Sequence, residues 1–180
     1  LHFGRLGVRL AKLQTILEVM AARNDARRPV GSSEIRHRPD GIALDLGSNG
    51  NDLVLNNASN NAWNGIAVNG SNWNNLTSNQ ANDNPFSGIN LTNSNWNTLF
   101  NNTANSNSQN GIVLTNSSNN TMFQNIARYN HQDGILVNLS SNGNNLTENK
   151  VCGNLWNGIE VNGSSWNDLL NNEVCDNGRN

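Results

Sequence analysis

The sequence predicts an all-β fold: a right-handed parallel β-helix, a solenoid of six coils of about 23–24 residues each, preceded by an N-terminal amphipathic helix. Three observations carry this. The pair Gly-Ile recurs at Gly41, Gly65, Gly88, Gly111, Gly134 and Gly158, in steps of 24, 23, 23, 23 and 24 along the chain. The same apolar columns return behind each glycine. Asparagine fills three further columns without a gap. A fixed period of this length marks a stacked repeat architecture.

The segment ahead of Gly41 stands apart. Phe3, Leu6, Leu10, Leu13, Leu17 and Met20 are spaced three and four apart, which predicts an amphipathic helix over about residues 5–23. A polar stretch with Pro29 and Pro39 follows. Residues 1–40 are therefore expected to form a helix and linker, and residues 41–180 the repeat domain. The helix would cap the first coil, as solenoids require, or join two chains. Arg5, Arg9 and Lys12 interrupt any apolar stretch of a secretory signal. The segment holds eight Lys/Arg against four Asp/Glu, whereas residues 41–180 hold three against nine. No nucleic-acid motif accompanies the basic residues, so a solvated helix face is expected and no nucleic-acid partner.

Within a repeat, Ile follows each glycine (Ile42, Ile66, Ile89, Ile112, Ile135, Ile159), and Leu44, Val68, Leu91, Leu114, Val137 and Val161 stand two further on. Next come Leu53, Leu76, Leu99, Met122, Leu146 and Leu169, then Ala58, Ala81, Ala104, Ala127, Val151 and Val174. Apolar residues two apart, bounded by Gly and Asn, predict strands of three to five residues, three to a coil. The asparagine columns mark the corners: Asn51 to Asn167, Asn56 to Asn172 and Asn61 to Asn177. Asparagine is expected there because it tolerates a left-handed backbone and because its amide both donates and accepts. Asn74, Asn97 and Asn120, and likewise Asn79, Asn102 and Asn125, should bond from coil to coil as structural ladders.

The pattern Gly-Ile-x-Val, then Ser-x-x-Asn-x-Leu-x-x-Asn, resembles the parallel β-helix repeat of the pectin-lyase-like superfamily, and is most similar to the NosD-like periplasmic copper-binding and carbohydrate-binding β-helix repeats. The resemblance covers residues 41–180. It implies a β-helix outside the cytoplasm (secreted, periplasmic or at the cell surface) but serves lyases, epimerases, hydrolases, maturation factors and fibres alike.

Catalytic residues are not expected. The acids Asp45, Asp52, Asp83, Asp133, Glu148, Glu160, Asp168, Glu173 and Asp176 fall in different columns, although Glu148 and Glu173 could meet across one coil. The fourth coil is the most varied, with Arg128, Tyr129, His131 and Asp133. Copper wants clustered soft or imidazole ligands; His2, His37 and His131 are far apart in sequence, so neither metal nor cofactor is expected. No apolar run is long enough to mark a membrane span.

Trp73, Trp96 and Trp166 share one turn position, each before a ladder asparagine. Aromatic faces beside amides and hydroxyls suit a polysaccharide; packing over their own turns is the other use. Trp63 and Trp156, just before Gly-Ile, are expected to pack. Cys152 and Cys175 stand one repeat apart in one column. Stacking would set their Cα atoms about 4.8 Å apart, within disulfide reach, and the alternatives are a bridge or two thiols. The chain stops at the end of a coil, so self-association through that coil or through the N-terminal helix is expected unless more sequence follows.

The leading expectation is a non-enzymatic structural or binding solenoid, assembling end to end into fibres or forming part of a longer surface protein. Alternatives are a carbohydrate-binding or carbohydrate-active module and a periplasmic metal-maturation accessory.

Overall fold

The computed structural model of the chain describes residues 40–179; the N-terminal helix expected over residues 5–23 lies outside them. The described residues form a parallel β-helix of six coils. Its first sheet stacks β1 (Ile42–Asp45), β3 (Ile66–Asn69), β5 (Ile89–Thr92), β7 (Ile112–Thr115), β10 (Ile135–Asn138) and β13 (Ile159–Asn162). The second stacks β2 (Asp52–Val54), β4 (Asn75–Thr77), β6 (Thr98–Phe100), β8 (Thr121–Phe123), β11 (Asn145–Thr147) and β14 (Asp168–Leu170). The third holds only β9 (Ile126–Arg128), β12 (Lys150–Cys152) and β15 (Glu173–Cys175). In the earlier coils its place is taken by single bridges, Asn57 to Gln80, Gln80 to Thr103 and Thr103 to Ile126. Three strands per coil therefore hold from the fourth coil onward.

Every pairing is parallel and in register with the sequence repeat: Ile89 lies beside Ile112, Leu99 beside Met122 and Val151 beside Val174. The columns consequently become rows of the core. Ile112, Leu114, Met122 and Ala127 are all fully buried, and the same cluster runs from Leu53 to Val151. Outermost in the sixth coil, Leu169 and Val174 remain about half exposed because no described coil lies on them. Glycine opens each first-sheet strand for lack of room: a Cβ on Gly111 would meet the carbonyl oxygen of Gly134 at 2.5 Å.

The corners depart from expectation in one respect. The ladder asparagines do not take the left-handed backbone; the residue before each of them does. Leu55 (φ 57°), Asn60 (φ 58°), Trp73 (φ 60°), Ser78 (φ 54°), Tyr129 (φ 57°) and Glu148 (φ 54°) all occupy it. The division of labour is physical. One residue makes the bend, and the next, turned inward, binds the neighbouring coil.

Oδ1 of Asn97 accepts from the backbone N–H of Asn74 at 2.8 Å and from its Nδ2 at 3.0 Å. Asn97 repeats this with Asn120, at 2.8 and 3.2 Å. In the second ladder Asn79 binds Asn102, and the second amide hydrogen of Asn102 goes back to the carbonyl of Leu76 at 2.8 Å. A side chain that must accept two hydrogen bonds and donate two more can be neither Asp, which has no donor, nor Ser, which has one, and this explains asparagine at every position of these columns.

A second set of ladders runs the opposite way. Here the later coil donates its N–H to the earlier side chain: Asn95 to Asn72 at 2.7 Å, Asn105 to Asn82 at 2.8 Å, Asn157 to Asp133 at 2.9 Å. Accepting is the main duty in these columns, so Asp and Ser are tolerated, as at Asp40, Ser59, Ser118 and Asp133. No helix among the described residues is long and apolar enough to cross a membrane.

Candidate functional site

The corner between the first and second sheets carries the most unusual surface. Its left-handed column reads Gly50 (φ 67°), Trp73 (φ 60°), Trp96 (φ 59°), Asn119 (φ 56°), Gly143 (φ 66°) and Trp166 (φ 61°). Glycine is at ease there, whereas an L side chain costs ~1–2 kcal/mol. Three tryptophans bear that cost while remaining exposed: Trp73 at 61%, Trp96 at 49% and Trp166 at 88%.

Trp73 and Trp96 stack face to face, with centroids 5.2 Å apart and planes 5° from parallel. Around them stand Ser71, Ser94, Asn74 and Asn97, all buried and committed to the ladders. The indoles are thus mounted on a rigid edge.

The remaining aromatics behave differently. Trp63 and Phe86 pack at the third corner with centroids 5.3 Å apart, and Arg179 lies 4.7 Å over the ring of Trp156. Phe100 and Phe123 stack on the outer face of the second sheet. Trp63, Phe86 and Trp156 are partly exposed, at 44%, 37% and 39%.

One acidic grouping was missed in the sequence. The amide of Asn157 donates to Oδ1 of Asp133 at 2.9 Å and to Oε2 of Glu160 at 2.6 Å. Asp133 is buried, and this burial raises its pKa above the ordinary value; the Asn157 hydrogen bonds oppose the rise, Glu160 adds to it and Arg179 reduces it. Sliding the sequence by one repeat already aligns Asp40, Asn64, Ser87, Asn110, Asp133 and Asn157, so that signal was available. His131 is exposed and Tyr129 lies against Gly153, whereas Asp133 faces inward. The fourth-coil residues are therefore not gathered on one face. Glu148 and Glu173 do not meet as a pair: Gln124 binds the first, and Lys150 forms an ion pair with the second.

Cys152 and Cys175 are register partners on β12 and β15, with Cα atoms 4.6 Å apart, and their sulfurs are bonded to each other. Glu173 lies beside them. These three are the one grouping of metal-type donors among the described residues. Met122 lies in the core and His131 is the single described histidine.

A family model described as periplasmic copper-binding protein (NosD) matches residues 17–180. Among solved structures, the chain is similar to a single-substitution variant of the periplasmic alginate epimerase AlgG, with 27% identity over 69% of this chain and 32% of that one and a TM-score of 0.63. It is also similar to the A-module of the mannuronan C-5 epimerase AlgE6 from Azotobacter vinelandii, with 26% identity over 71% of this chain and 36% of that one and a TM-score of 0.67. The chain spans about a third of the length of these epimerases. No curated protein sequence matches it.

Proposed function

We propose, for a chain that belongs to the NosD family, that its β-helix is an extracytoplasmic, non-enzymatic solenoid that binds polysaccharide through the tryptophans of its first corner. The carrying observation is Trp73 stacked on Trp96, both exposed and both on backbone that only glycine adopts freely. Indole offers a large apolar face at low conformational cost, and the carbon-bound hydrogens of a sugar ring suit such a face. The carbohydrate-active relatives support the theme. Location outside the cytoplasm is supported by the family description, by the periplasmic relative, and by a disulfide, a bond that forms and persists in oxidising compartments.

Copper, which the family description names, is not matched by the described donors. The sulfurs of Cys152 and Cys175 are spent on each other, and a disulfide offers no thiolate. Glu173 beside them is engaged by Lys150.

Titration of the full chain with soluble polysaccharides, followed by tryptophan fluorescence, tests the reading. A saturable change in intensity or wavelength is expected with at least one polysaccharide. Unchanged emission with neutral and acidic polysaccharides alike would refute it.

A second reading, a carbohydrate-active site, has one observation in its favour: Asp133 and Glu160 share the Asn157 amide, with one carboxyl buried and the other partly exposed. Two carboxyls in unlike environments are what proton transfer at a sugar requires. Product analysis after incubation with polysaccharides tests it; turnover that is lost in Asp133→Asn would favour this reading over simple binding.

A further inference from the structure

We infer that the first corner takes a neutral glycan, and that a sugar ring seats on the outer face of Trp96, in the stretch of the column before Trp166. The inference rests on the carbohydrate-binding reading and deepens it.

The ligand class follows from charge. The corner segments 46–51, 69–74, 92–97, 115–120, 138–144 and 162–167 contain no Lys, Arg, Asp or Glu. Residues 41–180 hold three Lys/Arg against nine Asp/Glu. An acidic polymer would meet an excess of like charge and no cation at the aromatic surface, an arrangement that disfavours encounter. Amides and hydroxyls alone suit a glycan whose polar groups are hydroxyls.

Position follows from the stack. At 5.2 Å and 5° the two indoles lie parallel and offset, each partly covering the other's inner face. What remains is the face of Trp73 turned toward Gly50 and the face of Trp96 turned toward Asn119. The next ring in the column is Trp166, three coils beyond Trp96 and so about 14 Å away at ~4.8 Å per coil. Between them stand only Asn119, which is exposed and brings its Oδ1 within 2.9 Å of where a Cβ on Gly143 would stand, and Gly143, which has no side chain. The gap therefore has an aromatic wall, an exposed amide in its floor and a second indole at its far side.

Affinity electrophoresis of the full chain in gels containing hydroxyethylcellulose, galactomannan, alginate or polygalacturonate tests the ligand class. Retardation by a neutral glycan and none by the polyuronates is expected; stronger retardation by a polyuronate would overturn the inference while leaving carbohydrate binding intact. Retardation by none of the four would overturn both. The double substitution Asn119→Trp with Gly143→Trp tests position, since this column already accepts tryptophan. It fills the gap and should weaken neutral-glycan binding about tenfold. Unchanged or tighter binding would mean that the glycan lies along the ring edges. Should the double variant lose its strand signal in circular dichroism, Trp166→Ala replaces it: a several-fold loss is expected, and unchanged affinity would overturn the placement.

Discussion

Oδ1 of Asn125 accepts two hydrogen bonds from Asn102 one coil earlier, from its backbone N–H at 2.9 Å and from its Nδ2 at 3.0 Å. Asn125 passes the same pair of bonds to Asn149 and gives its second amide hydrogen to the carbonyl of Leu99 at 2.8 Å. All four hydrogen-bonding sites of the amide are used, in a setting with no exposure to solvent.

Asn125→Ala should therefore cost far more than an ordinary surface substitution. It leaves two buried donors of Asn102 without an acceptor, at about 1–3 kcal/mol each. Chemical denaturation should record a loss on the order of 4 kcal/mol. Asn125→Asp should also destabilise, because a carboxylate cannot donate to Asn149 or Leu99. A loss under about 0.5 kcal/mol, as for a surface site, would contradict the ladder account.

The core columns make a second prediction. Ile112 is fully buried between Ile89 and Ile135. Ile112→Asp places a charge with no partner in the core, so the middle coils should lose their structure. Unchanged circular dichroism would contradict the inward assignment.

These columns were legible because in-register stacking makes the sequence period and the spatial period the same, so Ile89, Ile112 and Ile135 align in both. The inner asparagines were legible for the same reason. The left-handed positions were not. Their side chains point outward, the requirement is on backbone alone, and Gly50, Trp73, Asn119 and Gly143 share no chemistry. A ladder asparagine directly follows the left-handed residue at each of these corners, so the sequence alone does not separate the two roles. The acidic grouping at Asp133 was overlooked because a column that chiefly accepts admits Asn, Asp and Ser, and so looks irregular.

Stability should depend on pH through Asp133. Its carboxyl is raised above 3.8, chiefly by burial. Below pH 3.8 it is neutral in both folded and unfolded chains and costs nothing. As pH rises the unfolded chain ionises first, and stability falls until the folded-state pKa is passed. Asp133→Asn keeps the acceptor for Asn157 and removes the charge. Thermal unfolding should match the parent in acid and exceed it near neutral pH; a variant less stable at neutral pH would contradict this sign.

The disulfide closes a 23-residue separation, which corresponds to about 3 kcal/mol of chain entropy. Cys152→Ser with Cys175→Ser should lower stability by about that amount, and reduction of the parent should have the same effect. Alkylation and mass spectrometry of unreduced protein should find no free thiol. Two alkylated cysteines would contradict the bridge.

Trp166 offers a test of the cost of its backbone. It is 88% exposed with φ 61°. Trp166→Gly should raise stability by about 1 kcal/mol, because glycine carries no penalty there. The same variant should bind glycan less well. Lower stability would mean that the indole packs on the coil and does not serve a ligand.

Calorimetric titration of a soluble neutral glycan into the full chain and into the triple variant Trp73→Ala, Trp96→Ala, Trp166→Ala decides whether the first-corner tryptophans bind carbohydrate. Saturable heat is expected for the parent and none for the variant, with the same strand signal in circular dichroism for both. Equal affinity of parent and variant would contradict it.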